Sequence, residues 1–270
     1  SVKVDGLYIT GSTRETFLMS QEEKKQAIEI IVEEVNGRVP VIAHIGSIGT
    51  KITTELGQYA EKIGVDALSA LPPFYYGFSN DEIFNYYQDI SNSTNLPITV
   101  YNISHAHLMD LDMLKRLASI KNVKGVKYTA PTHFNFSKIK KKIGINFKIY
   151  SGMDEMSLSG LISGADGIIG SFYNLMPELF VDIYAKIKQE NINEAKKIQE
   201  KINIIIMYAL SKSGYPFIKM GLNWLDVDSG YVRKPFTTFV DKEIEHIIKK
   251  DLKKLTDQND LSGIKFLEKL

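Results

Sequence analysis

Short runs rich in valine and isoleucine recur about every 25–35 residues, each followed by a longer stretch whose apolar residues fall at helical spacing. That rhythm confines the chain to folds in which parallel strands are joined by helices. The spacing predicts strands at Leu7–Thr10, Val41–His44, Ala67–Ala70, Ile98–Tyr101, Val123–Lys127, Lys148–Tyr150 and Gly167–Gly170. It predicts helices between them at Gln21–Val35, Thr54–Ile63, Asp81–Asn92, Leu111–Ile120 and Met156–Ser163. Several strands carry apolar residues at consecutive positions, as expected where both faces are covered. A weak internal repeat runs through the pattern: Val4-Asp5-Gly6, Val65-Asp66-Ala67 and Ala165-Asp166-Gly167 each stand just before a strand, the last two after Gly64 and Gly164. Those two glycines read as helix C-caps.

After Gly170 the strand signals stop. Pro177–Gln189, Ile192–Ser213, Tyr215–Leu225 and Asp241–Leu255 read as helices. The expected architecture is an α/β TIM (β/α)8 barrel over residues 1–175, with a C-terminal helical appendage over 176–270 packed on it as one structural unit. Seven strands are visible where such a barrel has eight. An open doubly wound sheet also alternates β and α, but its Gly-rich phosphate loop is absent.

The whole chain is compatible with one domain: 270 residues with 44% hydrophobic content can bury a large core. Lysine and arginine total 33 against 32 acids, so no basic field awaits nucleic acid or a membrane surface. The expected partner is therefore a small molecule. The absence of cysteine excludes disulfides, thiolate zinc sites and thiol catalysis. No apolar run is long enough to span a bilayer, and the chain reads as soluble and cytoplasmic. His44, His105, His107 and His133 lack metal-ligand spacing, so no metal is expected.

Four places could carry chemistry. In Val123–Thr129, period-2 alternation sets Val123, Gly125, Lys127 and Thr129 on one face. With that face inward, Lys127 stands at the carboxyl end of its strand, where barrel enzymes place catalysis, as an amine nucleophile toward a carbonyl. The alternative is a solvated lysine ending a strand. Tyr101 closes the preceding strand and could relay a proton, or be a core tyrosine with its hydroxyl satisfied by backbone. Ser12 and Thr13 follow the first strand, where hydroxyls and free N–H groups hold a carboxylate; Ser12 and Glu15 equally have capping-box spacing. Asp154 and Glu155 follow the sixth strand and suit polyol hydroxyls, or simply the first turn of a helix.

Taken in order, these segments resemble the N-acetylneuraminate lyase branch of the pyruvate-dependent class I aldolases, which also includes dihydrodipicolinate synthase. The resemblance rests on Asp5-Gly6-Leu7-Tyr8, Gly11-Ser12-Thr13-x-Glu15, Ile42-Ala43-His44-Ile45-Gly46 and Ala70-Leu71-Pro72-Pro73-Phe74-Tyr75-Tyr76. It continues through Leu96-Pro97, Val100-Tyr101-Asn102-Ile103, Gly125-Val126-Lys127-Tyr128-Thr129, Ser151-Gly152-x-Asp154-Glu155, Gly164-Ala165-Asp166-Gly167, Ile169-Gly170-Ser171-x-Tyr173-Asn174 and Arg233-Lys234-Pro235-Phe236.

The resemblance implies that Lys127 forms an imine with C2 of a sugar acid and that Tyr101 shuttles a proton. It implies that Ser12 and Thr13 bind the carboxylate, and that Thr129, Gly152, Asp154, Glu155 and Ser171 contact the hydroxylated tail. Tyr75 would reach Tyr101 from a neighbouring subunit of a homotetramer. Cleavage would release N-acetylmannosamine and pyruvate without any cofactor, the protonated imine being the electron sink. The synthase branch carries an arginine shortly after its Tyr-Asn motif, and Ile103-Ser104-His105-Ala106-His107 contains none. A catalytically impaired keto-acid-binding barrel, or an aldolase for another 2-keto-3-deoxy acid, are the competing expectations. They are motivated by Arg14 in place of the family's glycine, by Ser104–Leu108 in place of its Pro-Ala-Leu-Thr-Gly loop, and by the expectation that the family's first strand and helix are lacking. Leu7–Thr10 and Gly167–Gly170 would then flank a gap.

Overall fold

The computed structural model describes residues 2–238 and 241–270. Among them, seven strands form one parallel sheet in sequence order: β1 (Leu7–Ile9), β2 (Val41–His44), β3 (Ala67–Ala70), β4 (Ile98–Ile103), β5 (Val123–Thr129), β6 (Lys148–Ser151) and β7 (Gly167–Ile168). The connections are α1 (Gln21–Val35), α2 (Thr50–Ile63), α3 (Asn80–Ser93), α4 (Leu111–Ala118), α5 (Phe134–Lys142) and α6 (Ser157–Ile162). Strand order equal to chain order is what repeated right-handed βα crossovers build. Helix α5 has no counterpart among the expected helices, and β4 and β5 each run two residues longer than their spacing predicts.

The chain divides into two compact units. The first contains the sheet, as Val4–Met153 with Ser159–Ile169. Its main core is built from Ala43, Leu68, Val100, Val126 and Ile149 of the strands, with Ile28, Leu56, Ile90, Leu117 and Phe136 of the helices. The second unit comprises Gly170–Leu270, Asp154–Leu158 and residues 2–3. It holds α7 (Pro177–Lys188), α8 (Ile192–Ser211), α9 (Tyr215–Trp224) and α10 (Lys242–Asn259). The tail after α10 is packed among these helices: Leu261, Ile264 and Phe266 are buried, and Phe266 stacks on Trp224 at 6.5 Å.

The internal repeat has a physical cause. Asp66 accepts the Val41 N–H at 2.7 Å and returns its own N–H to the Val41 carbonyl at 2.9 Å; Asp166 does the same with Ile149, at 2.8 Å in both directions. Each aspartate thus fixes the register of the strand after it against the strand before. Gly64 and Gly164 precede these residues at φ +99° and +101°, the left-handed cap conformation expected of glycine. Asp5, the first copy, is exposed.

Asp166 also accepts from Lys140 at 2.6 Å. Burial pushes its carboxyl upward, but the Lys140 hydrogen bond, the Ile149 N–H and the charges of Lys140 and Lys148 outweigh this and hold it below the usual value. A depressed carboxyl stabilises the fold above the unfolded-state value and stops doing so as pH falls through the folded value. Asp166→Asn should therefore lower Tm near neutrality. The gap to wild type should close as pH is taken down through the depressed value, which thermal melts across an acid series will check.

Candidate active site

Lys127 and Tyr101 are register partners on the adjacent parallel strands β5 and β4, and Thr129 is the partner of Ile103 two residues on. Residues directly opposite in a parallel pair share a face, so the two side chains lie together. The Lys127 Nζ sits 3.9 Å from the centre of the Tyr101 ring and 4.7 Å from that of Tyr8. Both Tyr101 and Lys127 are buried. The alternation read from sequence holds from Gly125 onward; a register shift between Ile98 and Thr99 separates Val123 from it.

Burial alone would raise the Tyr101 phenol. The positive charge of Lys127 and hydrogen bonds with Lys127 and Ser12 outweigh it, and the phenol is held below its ordinary value. Thr129 contributes least, in keeping with a buried hydroxyl that meets no partner at full hydrogen-bond geometry. Tyr8 goes the other way: burial and the neighbouring Tyr101 push it well above the ordinary value, against the hydrogen bond it makes to Ser69 Oγ at 3.0 Å. The two phenols are thus separated chemically, Tyr101 held below and Tyr8 above the ordinary phenol value.

Ser12 lies in a single 3-10 turn, Ser12–Arg14, directly after β1. The capping box of α1 is formed by Ser20 and Glu23 instead, which leaves the Ser12 hydroxyl for Tyr101. Arg14 is exposed and its backbone is not left-handed; Thr10 and Glu15 take the positive φ values, +53° and +57°. The backbone at position 14 therefore requires no glycine. Thr13 is partly buried and has a partner.

Gly152 follows β6, and a Cβ built on it would stand 2.0 Å from Thr129 Oγ1 and 3.3 Å from the Tyr128 carbonyl oxygen. Only glycine lets the Thr129 side chain occupy this place. Gly152→Ala should destabilise the protein by about 1–3 kcal/mol through overpacking. Adding Thr129→Ala should recover part of the lost Tm, because the closest clash is with the threonine hydroxyl.

In the second unit, Asp154 Oδ2 accepts the backbone N–H groups of Ser171 and Phe172 at 2.8 and 2.7 Å, so the structure brings Asp154 and Ser171 together. Glu155 is exposed. Tyr75, in the first unit, is 83% exposed with φ +83° and contacts Tyr76 rather than Tyr101 within the chain.

Sequence reasoning did not single out Tyr8, Ser69 or His44 as parts of this cluster. A polar-tipped ring between Leu7 and Ile9 was the available signal for Tyr8. His44 was weighed only as a metal ligand, and among the described residues no cluster of potential metal ligands occurs.

The model of the Dihydrodipicolinate synthetase family matches residues 2–255. The chain belongs to that family. Among solved members, N-acetylneuraminate lyase from Fusobacterium nucleatum is 37% identical, with a TM-score of 0.86 over 93% of this chain and 86% of that one. A catalytic lysine mutant of Ruminococcus gnavus sialic acid aldolase is 32% identical, with a TM-score of 0.88 over 93% and 84%. Dihydrodipicolinate synthase from Bacillus anthracis is 25% identical, with a TM-score of 0.84 over 91% and 86%.

Proposed function

We propose that this member of the family is a Schiff-base aldolase that cleaves N-acetylneuraminate to N-acetylmannosamine and pyruvate. The observation that carries the reading is the Lys127–Tyr101 pair: a buried amine directly beside a phenol held below its ordinary value. The lyases at 32–37% identity support the choice of substrate, as does the lack of an arginine in Ile103–His107, where the synthase branch places one.

In this mechanism the Lys127 amine adds to the C2 ketone and water leaves, giving an iminium. Tyr101 takes the proton of the C4 hydroxyl. The C3–C4 bond breaks, its electrons flow into the iminium, and the C4 aldehyde departs as N-acetylmannosamine. Tyr101 returns the proton to C3 of the enamine, and water releases pyruvate from Lys127. Ser12 and Thr13 hold the carboxylate. The roles of Thr129, Gly152, Asp154, Glu155 and Ser171 on the hydroxylated tail, and of Tyr75 in trans within a tetramer, belong to the same proposal. So does the (β/α)8 barrel: β1 and β7 are each paired on one side only among the described residues, and one further strand would bridge the two open edges.

Steady-state cleavage of N-acetylneuraminate, followed as pyruvate release, tests the reading. Turnover with this sugar acid and none with an amino-acid-derived condensation partner is expected. Pyruvate labelling without cleavage would favour the keto-acid-binding alternative.

A further inference from the structure

His44 ends β2, in register with Ser69 of β3. It is completely buried, at 0% exposure, yet neither Nδ1 nor Nε2 has a hydrogen-bond partner. Its ring is gripped by other rings: Tyr101 meets it edge-on at 5.9 Å and 90°, Phe17 at 6.2 Å and 88°, and Tyr8 lies tilted at 6.3 Å. Phenylalanine would keep all three contacts and leave no buried polar atom unpaired. Because unpaired buried polar groups oppose folding, those that persist call for a reason beyond packing.

Acid–base work is not that reason. Burial, then the charges of Lys127 and Lys24, hold the imidazole down at about 3, opposed by a polar contact from the Thr10 backbone that stops short of hydrogen-bond geometry. At neutral pH the ring therefore offers one N–H and one lone pair and stays uncharged. What changes around it during an aldolase cycle is its neighbour. When the Lys127 ammonium, 3.9 Å from the centre of the Tyr101 ring in the free protein, becomes an imine, it loses N–H donors beside that ring.

We propose that His44 is a positioning residue for the Tyr101–Lys127 pair, its hydrogen bond completed only once a keto acid is joined to Lys127. This rests on the aldolase reading and adds to it a residue that acts through Tyr101. A side chain kept for the reacting complex costs stability in the free protein, so function and stability should separate on substitution.

The test compares wild type, His44→Phe and His44→Gln by melting, by N-acetylneuraminate turnover, and by borohydride trapping with pyruvate. His44→Phe should raise Tm by about 2–4 °C, the scale for a domain of this size when one unfavourable polar burial is relieved. It should still take the label at Lys127 and keep KM within about twofold, while kcat falls about tenfold, the loss of one hydrogen bond in the reacting complex. His44→Gln, which restores a donor and an acceptor without the ring, should recover part of kcat with no gain in Tm. If His44→Phe turns over like wild type, the ring alone matters and the proposal fails. A lower Tm for His44→Phe, or no recovery with glutamine, overturns it equally. Wild-type protein that takes no label at Lys127 would instead overturn the aldolase reading, and the proposal with it.

Discussion

Lys127→Ala should abolish both cleavage of N-acetylneuraminate and irreversible labelling by pyruvate and borohydride. Reduction converts an imine to a secondary amine, so the label marks the lysine that condensed with the ketone. In the wild-type protein the adduct should map to Lys127 by peptide mass analysis. Lys127 is buried among the Tyr8 and Tyr101 rings, whereas Lys124 on the same strand is exposed. An adduct at Lys124 or Lys219 would show that the assignment is wrong. The expected loss of turnover is the whole of the covalent route, and covalent catalysis divides one difficult step into two easier ones. Because the change removes a buried charge-bearing group and leaves aromatic rings behind, the variant should remain folded. Its circular dichroism spectrum should match wild type, which separates chemistry from collapse.

The strands and most helices were legible because parallel strands and amphipathic helices impose different periods on the same residues. Helix α5 was not, since only Phe136 and Ile139 of its nine residues are buried and its last turn is Lys140-Lys141-Lys142. Two apolar positions cannot establish a period. The Lys127–Tyr101 pairing was implicit in the sequence, because each ends its strand as the spacing predicts it and consecutive strands are adjacent in the sheet. The electrostatic separation of Tyr8 from Tyr101 was not. It depends on which phenol meets the lysine and which meets Ser69, contacts made across strands that are distant in sequence. His44 shows the same limit: no local pattern distinguishes a histidine with two satisfied nitrogens from one with none. Asp154 was read toward a ligand, and its carboxylate is seen bonded to the backbone of Ser171 and Phe172, a relation that only folding creates.

Tyr101→Phe should leave pyruvate labelling of Lys127 largely intact while lowering kcat for cleavage about 10²–10⁴-fold, the usual contribution of a positioned general acid or base. The argument turns on what phenylalanine keeps. The ring that lies 3.9 Å from the Lys127 Nζ is retained, so the amine keeps its aromatic neighbour and its place in β5. What is lost is the hydroxyl that the company of Lys127 and Ser12 holds below its ordinary value. Imine formation with a small keto acid is driven chiefly by the amine and can draw protons from water. Cleavage of C3–C4 needs a base at the C4 hydroxyl, the role proposed for the phenol. The KM for the sugar acid should therefore change much less than kcat. Labelling and cleavage that fall in equal proportion would mean that Tyr101 serves to hold Lys127 in place, and the proton-shuttle role would then have to move to another group.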